Sequence, residues 1–243
     1  AEIRGQTVTG LYVIKDAKRP LVDDFRTFAK NYGDHKDTYN GADVNINWRM
    51  RRGGTLGGGL TWGDARINDC YVVDDPTQLR FCDRTVDPNG GLVRGGLQVK
   101  LLGSYPLPGG WQASATFQSV RGPEKTAAWT STTFNNTIQF PGSTRTSLGA
   151  TPSVTVQLIE PGTLYDDRLY QMDLRGTKTF GSGRTRVRLM VDLYNALNGN
   201  AVLQRASFGG LDTFSVPASS SSYNRPVTVL EGRLFKIGAQ LDF

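Results

Sequence analysis

Leu97-Gln98-Val99-Lys100-Leu101-Leu102-Gly103-Ser104-Tyr105-Pro106-Leu107-Pro108-Gly109-Gly110-Trp111-Gln112-Ala113-Ser114-Ala115-Thr116-Phe117-Gln118 reads as two alternating segments hinged on a Pro/Gly stop. Before the stop, Val93, Leu97, Val99 and Leu101 alternate with Arg94, Gln98 and Lys100. After it, Trp111, Ala113, Ala115 and Phe117 alternate with Gln112, Ser114, Thr116 and Gln118. A period of two belongs to a β-strand, whose successive side chains point to opposite faces. The tract from Tyr105 to Gly110 breaks the pattern as a hairpin turn would.

The same grammar recurs on both sides. Val44, Ile46, Trp48 and Met50 lead through Arg51-Arg52-Gly53-Gly54 to Leu56, Gly58, Leu60 and Trp62. Tyr170, Met172 and Leu174 lead through Gly181-Ser182-Gly183 to Val187, Leu189, Val191 and Leu193. A last strand places Phe235, Ile237, Ala239, Leu241 and Phe243 against Lys236, Gly238, Gln240 and Asp242. No 3.6-residue periodicity of useful length competes, so the chain is expected to be all-β. Within pairs the links at 51–54, 106–110 and 181–184 are short; between pairs, at about 67–91, 120–167 and 197–227, they are long. Short and long links strictly alternate, as in outer-membrane barrels with short periplasmic turns and long extracellular loops. On that parity the chain ends at Phe243 on the periplasmic side. Tyr105, Trp111, Phe180 and Phe243 then gather near the short-turn end, where an interfacial aromatic girdle belongs. Arg94, Gln98, Lys100, Arg186, Arg188 and Asp192 share one polar face, suited to a water-filled interior or, in a soluble protein, to solvent.

Bulk composition sets limits around this pattern. Of 243 residues, 38% are hydrophobic, and no run approaches the roughly 20 apolar residues of a transmembrane helix, so any membrane crossing must be by strands. The net charge of +6 could suggest nucleic acid, but the Arg residues are spread along the chain and their densest cluster, Arg49-Met50-Arg51-Arg52, lies at a turn. No nucleic-acid partner is expected.

Few residues carry chemistry. Cys70 and Cys82 flank eleven residues of a polar, Asp-rich segment, which suits a disulfide and an oxidising compartment; the alternative is two thiols. Asp69, Asp74, Asp75, Asp83 and Asp87 around them form either a solvated acidic loop or a Ca²⁺ site of no standard spacing. His35, the single histidine, has no Ser or Cys partner pattern and reads as a loop residue. Gly53-Gly54-Thr55-Leu56-Gly57-Gly58-Gly59 lacks the Lys-Ser/Thr of a phosphate loop and reads as a turn entering a Gly-rich strand. Trp129, Phe134 and Phe140, and again Phe208, Phe214 and Tyr223, stand among polar loop residues. They are either a ligand surface or loop-packing residues, so the ligand-binding residues stay unknown. No catalytic, cofactor or metal residue is assigned, and no enzyme is expected.

Several segments resemble the C-terminal region of TonB-dependent outer-membrane receptors, in particular those with a carboxypeptidase-regulatory-like N-terminal domain. They are Gly103-Ser104-Tyr105-Pro106-Leu107-Pro108, Ala113 to Ser119 with Arg121-Gly122-Pro123, and Glu160-Pro161-Gly162-Thr163-Leu164-Tyr165 with Asp167-Arg168-Leu169. Asp173-Leu174-Arg175, Lys178-Thr179-Phe180 and Asp192-Leu193-Tyr194-Asn195-Ala196-Leu197-Asn198 follow, and Gly232 to Phe243 looks like the family's closing strand. The resemblance implies that Phe235, Ile237, Leu241 and the terminal Phe243 form the signal read by the barrel-assembly machinery. It also implies a bacterial outer-membrane location, lipid as partner, a barrel of 22 strands and TonB-driven import of a scarce nutrient such as an oligosaccharide or a metal chelate. Family members carry a plug and a TonB box that this sequence lacks, so 1–243 is expected to be the C-terminal part of one barrel domain and TonB a partner only through the missing plug. Residues 1–40 read as the remainder of an extracellular loop and 41–243 as seven strands in hairpins, with an eighth conceivable at 6–14. Eight would allow a small stand-alone barrel acting as an adhesin or anchor. A soluble carbohydrate-binding β-sandwich is the third reading, and it leaves the alternating link lengths unexplained.

Overall fold

A computed structural model describes residues 16–21, 26–71, 79–86, 96–132, 153–181, 185–205 and 225–243. They form β1 (Lys36–Arg49), β2 (Thr55–Asn68), β3 (Asp83–Val86), β4 (Gln98–Leu107), β5 (Trp111–Val120), β6 (Ala128–Thr132) and β7 (Ser153–Gln157). β8 (Leu169–Phe180), β9 (Arg186–Tyr194), β10 (Val202–Arg205), β11 (Pro226–Val229) and β12 (Leu234–Asp242) follow. Among the described residues, short 3₁₀ turns stand at Asp16–Leu21, Ala29–Asn31 and Pro108–Gly110. The chain is therefore all-β and antiparallel.

Seven strands lie side by side in the order β1-β2-β4-β5-β8-β9-β12, and β3 adds alongside the far end of β2. Among the described residues β1 pairs only with β2 and β12 only with β9, so the sheet has two open edges. The expected hairpins form. Met50 N–H donates to the Gly54 carbonyl at 2.8 Å, and Gly53 N–H to the Met50 carbonyl at 3.0 Å. The β4–β5 turn needs Gly109 and Gly110, at φ +74° and +78°, where a side chain would be strained. Pro106 and Leu107 belong to β4 and not to the turn, because the rungs Pro106–Gln112 and Leu107–Trp111 still close.

Three expectations change. β1 begins at Lys36, inside the stretch read as loop: Lys36, Asp37, Thr38 and Asn40 put polar groups on both faces and erase the alternation, yet they pair in register with β2. The long links are not bare loops, since β3, the β6–β7 pair and the β10–β11 pair lie within them. The strand read at 93–101 is β4, and Val93 and Arg94 fall outside the described residues, as does the conceivable strand at 6–14.

Cross-strand partners share a face, so the registers sort every strand residue to one side of the sheet. Val44 faces Leu60, Leu60 faces Val99, Leu101 faces Phe117, Phe117 faces Met172, Leu174 faces Leu193, and Leu193 faces Phe235. The alternating apolar residues of all seven strands thus fall on one continuous face, while Leu102, Met190 and Leu234 fall on the other. The opposite face carries Asn45, Asn47, Gln98, Lys100, Gln118, Gln171, Arg175, Arg186, Arg188, Asp192 and Asp242, joining most of the polar residues expected together.

The strands are also staggered. The row perpendicular to the strands that starts at Arg49, the last residue of β1, runs through Thr55, Ser104, Ser114, Arg175 and Asp192 to Lys236. It meets β4 at Ser104, three residues before that strand's turn end at Leu107, and β12 at Lys236, six before Asp242. Six residues over six strand steps, at about 3.3 Å per residue and 4.8 Å between strands, is a tilt of about 35° from the line through the turns.

Among the described residues no second layer covers the sheet. The only buried apolar side chains among the described residues are Ala127 and Ile159, both in the long link after β5. Val44, Ile46, Trp48, Leu189, Val191, Phe235 and Leu241 stand exposed; Ile237 is 71% and Phe243 96% exposed.

Candidate functional site

The apolar face is the most extensive feature of the chain. On β12 it runs from Phe235 to Leu241, six residues or about 20 Å along the strand; about 35° of tilt reduces that to roughly 16 Å of height, within the roughly 25 Å band of an outer-membrane barrel. Tyr105, Trp111 and Phe180 lie on this face at its short-turn end, as expected, with Phe243 just past the same end of β12, and Trp48 joins them. Trp62, Tyr170 and Phe235 mark the other end, a second aromatic tier that becomes visible once the registers are known. Lys36, Asp64 and Arg66 fall on this face at the far ends of β1 and β2, and Lys178 is its charged residue beside the short turns; its Nζ lies 5.1 Å from the Trp111 ring centre and 5.3 Å from that of Phe180.

Phe235, Ile237 and Leu241, three of the residues that the resemblance assigns to the assembly signal, lie on the apolar face of the sheet's edge strand, and Phe243, the fourth, follows β12 and is 96% exposed. Leu241 pairs with Val187 next to the β8–β9 turn, which places the end of β12 at the short-turn end and agrees with the parity.

The polar face is cross-linked from β5 to β12. Gln118 donates to the Gln171 side-chain oxygen at 2.8 Å, and Gln171 donates to Asp173 at 3.2 Å. Arg175 grips both carboxylate oxygens of Asp192, whose residue is 4% exposed. Arg188 donates to Asp242 at 2.7 Å, and Gln240 to the same carboxylate at 2.8 Å. These pairs satisfy charges that would be costly if left alone, and no nucleophile stands beside a base among them.

At the long-link end, residues far apart in sequence are clamped together. The Asp166 carboxylate, 4% exposed, pairs with Arg205 and with Lys125 at 3.5 Å, tying the link after β5 to β10. Burial by itself would raise the Asp166 pKa; the Arg205 guanidinium and the Lys125 ammonium outweigh it and hold the carboxyl below its usual value. Asn195, 2% exposed and left-handed at φ 48°, donates through its side chain to the carbonyls of Gly199 and Glu231 and through its backbone to Asp173. Asn198 accepts from the Arg233 N–H at 3.2 Å. The Asp192–Asn198 segment is therefore a fastener between β8, β9 and the approach to β12. Sequence reading singled the segment out but could not see this role, because the partners of Asn195 lie up to 36 residues away.

Cys70 and Cys82 are joined in a disulfide, with Cα atoms 4.9 Å apart. It closes the β2–β3 connection, where Asp69 N–H donates to the Cys82 carbonyl at 2.7 Å. Asp69 also meets His35 Nδ1 at 2.6 Å and Arg84 at 3.4 Å, so His35 pins the entry to β1 onto this lobe. Arg66 lies 3.1 Å from Asp83; its hydrogen bond holds that carboxyl below its usual pKa. Two of the five Asp residues weighed for Ca²⁺ thus have cationic partners, while Asp74, Asp75 and Asp87 lie outside the described residues. Among the described residues no group of three His, Cys, Asp or Glu could hold a metal, and no helix is long and apolar enough to cross a membrane. The side chains of Trp129, Phe134, Phe140, Phe208, Phe214 and Tyr223 lie outside the described residues. No family model matches the chain, and neither a curated protein nor a solved structure is detectably similar to it.

Proposed function

We propose that this chain is part of the wall of an outer-membrane β-barrel of the TonB-dependent receptor type, serving the import of a scarce nutrient such as an oligosaccharide or a metal chelate. The observation that carries the membrane part is the continuous, exposed apolar face across seven staggered strands. In water, a surface of that kind far exceeds the apolar patches that monomeric proteins leave open; in a bilayer it is the required surface. The tilt of about 35° lies at the low end of the range for transmembrane barrels, and the short turns share one end. The open edges on β1 and β12 fit a sheet that continues into further strands, since unpaired edges are costly in lipid. The import role rests on the family resemblance of the Asp192–Asn198 and Gly232–Phe243 segments. In this reading the polar face lines the lumen, lipid and the barrel-assembly machinery are partners, and TonB acts through a plug domain.

Nitroxide labels at single-cysteine substitutions along β9 and β12 of the protein in its outer membrane test the membrane reading. Oxygen accessibility should peak at Leu189, Val191, Ile237 and Leu241, and that of a polar nickel chelate at Arg188, Met190 and Gln240. Flat or inverted profiles would sink it in favour of a water-soluble sheet. The intact mass separates receptor from small anchor: about 100 kDa suits a plug and a 22-strand barrel, whereas 26.6 kDa would leave the adhesin or anchor.

A further inference from the structure

The apolar face is not uniform. On β4, β5 and β8 its side chains shrink to Gly103, Ala113, Ala115 and Gly176, which are neighbours by register: Gly103 faces Ala115, and Ala113 faces Gly176. Larger residues wall this hollow, with Leu56, Leu101, Tyr105, Phe117 and Leu174 around it. A Cβ built on Gly176 would meet no atom within 4 Å, so the floor is open outward. One rung nearer the turn stands the Trp111–Lys178 pair. The Lys178 ammonium rests between the Trp111 and Phe180 rings and donates to the Gly109 carbonyl. An ammonium has three N–H donors, and this backbone bond uses one. Arg51 and Arg52 lie in the β1–β2 turn at the same end of the sheet.

We infer that this hollow and Lys178 together form a binding site for one anionic phospholipid of the leaflet at the short-turn end. The phosphate sits on the Lys178 ammonium, and one acyl chain lies along Gly176, Ala113, Ala115 and Gly103. The inference rests on the membrane reading above and deepens it. The occupant follows from complementarity. The hollow is apolar along its length and runs from the rim toward mid-band, the course of an acyl chain. The cation sits at its rim end, at headgroup level, where an anionic group neutralises it and water is still within reach. The aromatic rings on either side keep the ammonium at that level and give the glycerol region a flat wall. A zwitterionic headgroup would offer the same phosphate but set its own ammonium against Lys178, so an anionic lipid is preferred.

The test uses the full protein moved from outer membranes into discs containing equal parts of phosphatidylglycerol and phosphatidylcholine, then released for native mass spectrometry. The wild type should retain one phosphatidylglycerol in preference to phosphatidylcholine. Lys178→Gln should lower that retained fraction about tenfold, the effect of one charge-assisted contact, and Lys178→Arg should keep it. Ala113→Leu, which fills the hollow without touching the charge, should lower it as well. Equal retention of the two lipids, or wild-type retention by both Lys178→Gln and Ala113→Leu, would overturn the site. Loss with Lys178→Gln alone would overturn the acyl-chain half and leave a headgroup contact. Spin labels at Val44 and Ile237 report lipid exposure separately. Lipid-exposed labels without selective retention reject this site and spare the membrane reading; labels found in water reject both.

Discussion

Val191 and Met190 are consecutive residues of β9 on opposite faces, and replacing each in turn by Arg measures what each face meets. Val191 is exposed between Gly176 and Ile237 on the apolar side. It lies five residues from Arg186, the turn end of β9. At about 3.3 Å per residue and a tilt of about 35°, that puts it roughly 14 Å above the turn level, close to the middle of a band about 25 Å tall. An Arg at that depth on the lipid face costs about 2–4 kcal/mol, a roughly 30- to 700-fold loss in the folded-to-unfolded ratio. Met190 is at nearly the same depth but faces the polar side, between Thr177 and Gly238. There an Arg can reach water, and the cost should stay under about 1 kcal/mol. The assay is urea unfolding of the protein from phospholipid vesicles, followed by tryptophan fluorescence. Equal losses for Val191→Arg and Met190→Arg, or a larger loss at Met190, would refute the assignment of the faces.

Three further outcomes are expected. Deleting Phe243, the exposed residue that follows the edge strand, should block outer-membrane assembly, read by membrane fractionation; normal assembly would remove its role as a signal. Replacing both Cys70 and Cys82 by Ser should destabilise the β2–β3 lobe by about 2–3 kcal/mol through the reopened loop and admit protease there. The strand labels should keep their lipid pattern, and an unchanged cleavage rate would show that the disulfide contributes nothing locally. The Asp166 clamp should depend on acid. Its folded pKa lies below the unfolded value of about 3.9, so its stabilisation is complete above about pH 4 and is lost as pH falls through the lowered folded value. Amide protection at Lys125 and Asp166, whose N–H groups bond the Leu164 and Pro123 carbonyls, should drop between pH 5 and pH 2 after correction for intrinsic exchange. Asp166→Asn should cost about 2–3 kcal/mol at neutral pH and abolish that pH dependence; protection that ignores both changes would rule the clamp out.

The sequence by itself determined what depends on neighbours along the chain. A period of two assigns each side chain of a strand to one face or the other, so the alternation around Val44, Val99, Phe117, Leu189 and Ile237 was enough to name the seven strands of the main sheet and their apolar sides. Turn chemistry is equally local, and Gly109-Gly110 and Gly53-Gly54 marked the hairpins. The pairing of Cys70 with Cys82 was legible because so few residues separate them. Where both faces turn polar, as at Lys36–Asn40, the period vanishes and the strand could not be read, although its hydrogen bonds continue. Only the tertiary structure decided how the strands slide past one another, because register is set by contacts between residues tens of positions apart. It is the register that joins seven separate stripes into one apolar face, gives the sheet its tilt, and sets Lys178 beside Trp111 below Ala113 and Gly176. The partners of Asp166, Asp192 and Asn195 were hidden for the same reason: a carboxylate or an amide carries no mark in the sequence of the distant group that folding will bring to it.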